Sequence, residues 1–598
     1  MAKTPQTSPD TDVPEEAGLR PAVDPPDQPD GYRAGGRLAW LALAVVLVAE
    51  VMDLLDTTIV GVASPAIRAD LGGTYASIQW IAAGYTLSFA VVLITAARLG
   101  DLYGRRRLFI IGVIGFTLSS AACALAQSPG QLIGFRLVQG IFAALLIPQG
   151  FGLIRAAFPP AQLGKAFALF GPVMGLSAVI GPIVGGALVD GDLFGTGWRM
   201  IFLINLPLGV AALIGALTIL REDKSRHAER LDPLGTAIAT AGAFLLVYPL
   251  VQGRELGWPA WIFGCLAAGV VLFGLLAWHL VASKRRGGNP LVMPSLFKKR
   301  SFSSALVVGL LFFAGMSGLI LAFTLYLQIG LGYSPLRAGL TTAPWPLGIA
   351  IGAGVAMGVL VPRIGKYVIV LAALTMAAGT AGIWLTLQLA GSSVHSIDFV
   401  PAMLVAGVGM GGVIAPFFDI ALGDVEDAEV GSASGLLNAI QQLGGSIGVA
   451  VLTTVFVGLL GGAVASSVSD VTPATKTQLT AAGIPASAQG AILSRFRDCV
   501  HDRATADDPS AVPASCQAGS GELPPAVLAV LTKQGETASK EIFTDAAKKL
   551  LLVDAGLVVV LAALSFLLPS KARPEEDFGA NTGTDSEATT SEYAVSTN

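Results

Sequence analysis

Apolar residues run through this chain in long blocks separated by short polar breaks. The first block, residues 39–61 (AWLALAVVLVAEVMDLLDTTIVG), sets the scale. As a helix of 23 residues it spans roughly 35 Å, more than the ~30 Å hydrocarbon layer of a bilayer. Fourteen such segments follow one another, near 39–61, 76–97, 108–127, 131–154, 166–189, 200–220, 232–251, 260–282, 302–327, 338–361, 367–390, 399–422, 433–461 and 550–569. The pattern predicts an all-α polytopic membrane protein with 14 transmembrane helices. The tails, 1–36 and 570–598, are rich in Pro, Asp and Glu and in Ser, Thr and Glu respectively, without periodicity, and are expected to be disordered.

Charge orients the spans. With the N-terminal tail inside, the inner flanks and loops carry 22 basic residues and the short outer loops four: Arg68, Arg199, Arg254 and Arg337. By the positive-inside rule both termini are expected in the cytoplasm, with the chain in the plasma or inner membrane. Composition agrees: of 598 residues, 53% are hydrophobic and 13% charged, with 72 glycines, as suits closely approaching membrane helices. The net charge of −4 gives no support for nucleic-acid binding. A cleavable signal peptide is not expected, because a polar arm precedes an apolar run too long for one.

The first span carries three acids. Glu50, Asp53 and Asp56 stand at i, i+3 and i+6 and so share an arc of about 120°. A carboxylate facing lipid costs several kcal/mol, so the three are expected to look into a bundle interior or a wet cavity, where they can take up and release protons. The plainer reading of any one of them is a helix cap or a headgroup-level residue. Arg136, inside span 4, needs a counter-charge there, and Asp53 or Asp56 is the candidate; the pairing is either a proton relay or a fixed ion pair.

The chain also repeats. RLGDLYGRRR (Arg98–Arg107) after span 2 has a degenerate echo, LVPRIGKY (Leu360–Tyr367), after span 10. Two six-helix halves flanking two inserted helices follow: 37–221, then 222–300 with the inserted pair and its loops, then 301–569 including an outer segment, 462–549.

These motifs resemble the major facilitator superfamily, in its fourteen-span drug:proton antiporter branch. LDTTIVGVASP (Leu55–Pro65) is similar to the branch's first-span signature and Arg98–Arg107 to the superfamily's loop motif, with Ala97 and Leu102 departing from it. RLVQG (Arg136–Gly140) is similar to the fourth-span motif and GPIVGG (Gly181–Gly186) to the antiporter motif of span 5. GWRMIFLINLPLG (Gly197–Gly209), LYLQIGLGYSPLRAG (Leu325–Gly339) and GSASGLLNAIQQLGGSIGVA (Gly431–Ala450) are typical of the branch. The resemblance implies a major facilitator fold, export as the direction of transport, and a cytoplasmic latch that stabilises the outward-open state.

In that latch Asp101 can face helix-end amides and guanidinium groups while Gly104 permits the turn; Arg105 and Arg106 serve it or merely anchor topology. In span 5, Gly171, Pro172, Gly175, Gly181, Pro182, Gly185 and Gly186 form a small-residue strip in a helix its prolines can bend. Such a strip seals a rocking bundle, or simply packs. Asn438, Gln441 and Gln442 line a cavity or bond across helices, and Asp419 falls near the cytoplasmic end of span 12.

Segment 462–549 is far longer than an ordinary connection. It contains Cys499 and Cys516 on the oxidising side, for which a disulfide is expected, and helical runs near 485–498 and 524–549 that suggest a hairpin or lid. The lid meets substrate, an envelope partner, or neither.

Walker-type, HExxH and paired CxxC signatures are missing from the sequence. Neither an enzyme nor a cofactor or metal site is expected, and an ion gradient is left to supply the power. The function expected is proton-coupled export of an amphipathic, cationic drug by a monomer among membrane lipids. The alternatives are export of an endogenous lipid or secondary metabolite and, in another class, a non-transporting sensor or scaffold.

Overall fold

The computed structural model describes residues 36–222, 231–426, 429–505, 513–517 and 524–568. The tails expected to be disordered lie outside these residues, apart from residue 36. Among the described residues every regular element is helical.

Six helices form a first group: α1 (Arg37–Leu71), α2 (Tyr75–Tyr103), α3 (Arg105–Ala124), α4 (Pro129–Ala157), α5 (Pro160–Asp190) and α6 (Gly197–Thr218). A pair follows, α7 (Pro233–Gln252) and α8 (Ala260–Arg285). The second group comprises α9 (Arg300–Gly330), α10 (Pro335–Ile364), α11 (Tyr367–Ala390), α12 (Val400–Leu422), α13 (Val430–Ala481) and α15 (Pro525–Ser565), with α14 (Ala486–Thr505) between the last two. Twelve of these helices are long and apolar enough to cross a membrane among the described residues. The other two expected segments, 166–189 and 550–569, fall on α5 and, as far as Ser565, on α15.

Helix starts follow from local chemistry. Thr74 caps α2 through the amide of Ser77, Ser128 caps α4 through Gln131, and Ser334 caps α10 through Arg337, each meeting a backbone N–H that the helix leaves unpaired. Gly104, at φ 103°, breaks α2 from α3 in a conformation that suits only glycine.

Inside the groups, glycines set the spacing, since lipid gives little apolar drive for helix association. Gly407 and Gly411 of α12 sit against α10, where an added Cβ would lie 2.2 Å from Trp345 O and 2.0 Å from Ile349 O. Gly409, between them, faces α11 in the same manner. Helix α12 is thus clamped on both sides by backbone contact. Helix α7 packs on α2 and α13 and so touches both groups, whereas α8 packs mainly on α7 and keeps only Ile262, Gly269 and Leu280 buried.

Helices α13 and α15 extend far past the apolar blocks. At 52 residues, α13 is roughly 78 Å long, and its polar last third packs antiparallel on α15, with Gln534 donating to Gln478 at 3.2 Å. The expected span 433–461 is therefore only the first part of one continuous helix, because α15 supplies a partner for the rest. Cys499 in α14 and Cys516 are joined by a disulfide. This assembly defines a hairpin face, opposite the face that bears the basic loops.

Candidate functional site

Helix α1 carries its three acids inward, each buried against a different neighbour. Glu50 lies beside Gly150 of α4, where an added Cβ would come 3.3 Å from its Oε1, and that oxygen has no hydrogen-bond partner among the described residues. Asp53 accepts a hydrogen bond from the Tyr85 hydroxyl of α2. Asp56, 1% exposed, is ion-paired with Arg136 of α4, itself 1% exposed.

The pair is held from all sides. Gln139 donates to Asp56 Oδ1 at 3.0 Å and Asn205 of α6 to the same oxygen at 2.9 Å. Asn205 also donates to Ser120 Oγ of α3 at 3.0 Å. The guanidinium donates to Ile81 O at 3.2 Å and to Gln139 Oε1 at 2.9 Å, and stacks over the Tyr85 ring at 4.1 Å from its centroid. Desolvating two charges is tolerable only with such complete hydrogen bonding, and losing either partner would strand the other. Tyr85 touches both Asp53 and Arg136, so it bridges the acid above the pair to the pair itself. Three buried acids of α1 thus stand against one buried guanidinium in this cluster.

The small-residue strip of α5 joins this helix to the second group. Gly181 and Gly185 lie against Thr58 and Ile59 of α1, where an added Cβ would sit 2.1 Å from Thr58 Oγ1 and 2.8 Å from Ile59 Cγ2. Gly186 meets the start of α10, 2.5 Å from Leu336 Cα by the same measure, and Gly339 of α10 meets Pro182 O at 2.3 Å. Gly171, Pro172 and Gly175 lie in the same helix, roughly two to three turns before Gly181 on the basic-loop side.

Hydrogen bonds between the groups cluster toward the hairpin face. Gln328 donates to Val62 O at 2.7 Å, Gln79 to Thr454 Oγ1 at 3.3 Å, and Leu336 N to Asp190 Oδ2 at 3.0 Å, while Thr86 and Ser446 share a 2.6 Å contact. The hairpin face is closed.

On the basic-loop face Asp101 pairs with Arg105 at 2.9 Å, and Arg105 lies across Gly152 of α4. Arg106 donates from its guanidinium to Ala216 O at 3.1 Å and Leu217 O at 2.7 Å, and from its amide to Glu222. Gly104 is pressed against Glu222, 2.4 Å from Oε1 for an added Cβ. Arg98 donates to the carbonyls of Asn289 and Pro290 in the linker ahead of α9.

Of the remaining sequence candidates, Asn438 donates to Ser434 O of its own helix at 2.9 Å. Gln441 and Gln442 are half-buried on α13, and Asp419 is half-buried three residues from the end of α12. The described hydrogen bonds of Asn438 do not bring it to the α1 acids. Conversely, Tyr85, Gln139, Asn205 and Ser120 belong to the cluster and were not singled out from the sequence. Their signal was present: each is a polar side chain inside an apolar block, and Gln139 lies within the RLVQG motif.

Comparison with known proteins matches residues 46–449 to the family model of the Major Facilitator Superfamily. The chain is 45% identical to a probable actinorhodin transporter of Streptomyces coelicolor, over 96% of this chain and all of that protein. It is 36% identical to a puromycin resistance protein of Streptomyces alboniger, over 70% of this chain and 82% of that one. It is 35% identical to a tetracenomycin C resistance and export protein of Streptomyces glaucescens, over 73% and 77%. Among solved structures, a bacterial homologue of the human lysosomal transporter Spinster, inward-facing and occupied, superposes with a TM-score of 0.53 at 15% identity, over 88% of this chain and 96% of that one.

Proposed function

Since the chain belongs to the Major Facilitator Superfamily, we propose that it is a proton-coupled secondary active exporter of amphipathic, cationic compounds, working by alternating access. The observation that carries the coupling is the buried Asp56–Arg136 pair, flanked on one helix by Asp53 and by the unpartnered Glu50. A proton or a cation arriving at this acidic stripe competes with the guanidinium for carboxylate oxygens. Either event loosens α1 from α4 and α6, and α5 transmits the movement through Gly181, Gly185 and Gly186 to α10.

In this reading α5 and α15 complete fourteen spans, with the halves and the inserted pair bounded as the sequence suggests and both termini in the cytoplasm of a cell-membrane protein. Contacts across the hairpin face then correspond to a bundle shut toward the outside, and the disulfide-bonded hairpin stands outside. A potential of 100 mV supplies ~2.3 kcal/mol for each net charge moved. Exchange of one proton for one monocation moves none and draws on the pH difference alone.

A second reading, export of a secondary metabolite, is favoured by one observation. The likeness to the actinorhodin transporter extends over 96% of the chain, whereas the likeness to the puromycin and tetracenomycin resistance proteins covers 70% and 73%.

The test is reconstitution in proteoliposomes with an imposed pH step and a panel of dyes, drugs and aromatic metabolites. Wild-type protein is expected to drive at least one of them uphill, and Asp56→Asn to lose that drive. Wild-type rates in Asp56→Asn would rule out the coupling assignment, and a panel moved without regard to the pH step would rule out proton coupling altogether.

A further inference from the structure

A second buried acid lies in the other group of helices. Asp554 of α15 is fully buried, at 0% exposure, and neither carboxylate oxygen has a hydrogen-bond partner among the described residues. It faces Gly315 of α9, where an added Cβ would sit 3.4 Å from its Oδ1 and 3.1 Å from Leu557 Cδ2. The absent side chain of Gly315 is what makes room for the carboxyl group.

Among the described residues the helices around it supply no counter-charge at its level. Helix α15 packs on α9, α11 and α13. Residues 301–325, 368–390 and 431–469 of those helices contain no Asp, Glu, Lys, Arg or His, and the nearest charges on α15 itself are Lys548, Lys549 and Asp545, of which Lys549 and Asp545 pair with each other at 2.7 Å. Thr380 of α11 is buried with a hydroxyl oxygen that has no partner among the described residues. Met376 and Val558 line one small cleft with Leu311, Phe312, Gly315 and Leu557. One turn from Met376 along α11 and one turn back from Val558 along α15 put Thr380 and Asp554 at the same depth in these antiparallel helices.

An ionised carboxylate without partners in such a place costs several kcal/mol, whereas a neutral carboxylic acid is far better tolerated. The position also has a counterpart. In the first group the first and last helices, α1 and α6, meet at a buried acid through Asp56 and Asn205; in the second, α9 and α15 meet at one through Gly315 and Asp554. The difference is that Asp56 is compensated by a guanidinium and Asp554 is not.

We propose that Asp554 is a second proton-binding carboxyl of the transport cycle, holding its proton while α9, α11 and α15 pack as they do here and releasing it when they part and water enters. The step is R–COOH + H2O → R–COO⁻ + H3O⁺, reversed when the site is reloaded, with no other bond changed. The proposal rests on the proton-coupled reading and adds one proton to the count exchanged.

The test compares wild type, Asp554→Asn and Asp554→Glu in proteoliposomes, with the membrane potential clamped at zero and ethidium and tetraphenylphosphonium as probes. At a step of one pH unit each coupled proton multiplies the limiting probe ratio by ten. The limit is expected to be about tenfold lower in Asp554→Asn and restored in Asp554→Glu. An unchanged limit in Asp554→Asn overturns the proposal while leaving the proton-coupled reading intact. Wild-type protein that builds no ratio from the pH step overturns that reading instead, and this proposal with it. Infrared spectra of purified protein give an independent check. The carboxylic-acid C=O band is expected to be weaker in Asp554→Asn than in wild type at neutral pH. An identical band, or an Asn variant that no longer folds although its amide stands in for the neutral acid, also overturns the proposal.

Discussion

Neutralising Asp56 and Arg136 singly and together measures how far the buried pair depends on mutual compensation. Asp56→Asn leaves a guanidinium at 1% exposure without its carboxylate. Breaking a buried pair in this way costs roughly 3–5 kcal/mol. The lower end is expected here, because Arg136 keeps Ile81 O, Gln139 Oε1 and the Tyr85 ring face, the last worth about 2 kcal/mol when desolvated. Arg136→Gln strands the carboxylate, which retains amide donors from Gln139 and Asn205, and is expected to fall in the same range. In the double variant an amide faces an amide and no charge is stranded. The two single losses should therefore overshoot the double loss by at least ~2 kcal/mol, about 30-fold in the unfolding ratio. Detergent-denaturant titration of the purified protein, followed by tryptophan fluorescence, reads all four forms. Additivity within ~0.5 kcal/mol would refute the argument, since residues that do not compensate each other add within that margin.

Three further outcomes follow from the geometry. Gly339→Val places a side chain where even Cβ would lie 2.3 Å from the Pro182 carbonyl; overpacking of ~1.4 kcal/mol or more, a tenfold bias, should open the hairpin face, lowering the cross-linking yield of a Gln79→Cys/Thr454→Cys pair about tenfold relative to the Gly339 parent. Denatured without reductant, the protein should present only Cys123 and Cys265 to an alkylating reagent, and four thiols after reduction; four thiols at the outset would refute the Cys499–Cys516 link. In the hairpin, burial and the neighbouring Asp470 carboxylate raise the Glu541 carboxyl above its ordinary value of 4.5. Its stabilising contribution is therefore full below that value and lost as pH rises through the raised one. Glu541→Gln should flatten the pH dependence of amide-exchange protection in α15, corrected for intrinsic rates, and an unchanged profile would count against it.

The bundle was legible because a bilayer fixes how long an apolar block must be, so fourteen blocks mark fourteen helical segments whatever their neighbours are. The continuation of α13 to Ala481 was not legible from those blocks, for residues beyond 461 are polar and are held in helix by packing on α15. Glu50, Asp53, Asp56 and Arg136 stood out since charge inside an apolar block demands a reason. Tyr85, Gln139 and Asn205 did not, because uncharged polar residues occur in spans for many reasons and only the fold brings these three, from α2, α4 and α6, to one carboxylate cluster. Asp554 met the same criterion as the α1 acids. It stands alone there, without a second acid at helical spacing to mark it.

The most direct measurement is the number of protons that leave the purified protein when substrate binds. A weakly buffered detergent solution with a pH-sensitive dye, titrated with a compound that the wild type moves uphill, gives that count. The account expects wild-type protein to release protons on binding, and Asp53→Asn and Asp56→Asn to release fewer while still binding the compound. Equal release from all three, or none from the wild type, would contradict the claim that substrate and protons exchange at the acids of α1.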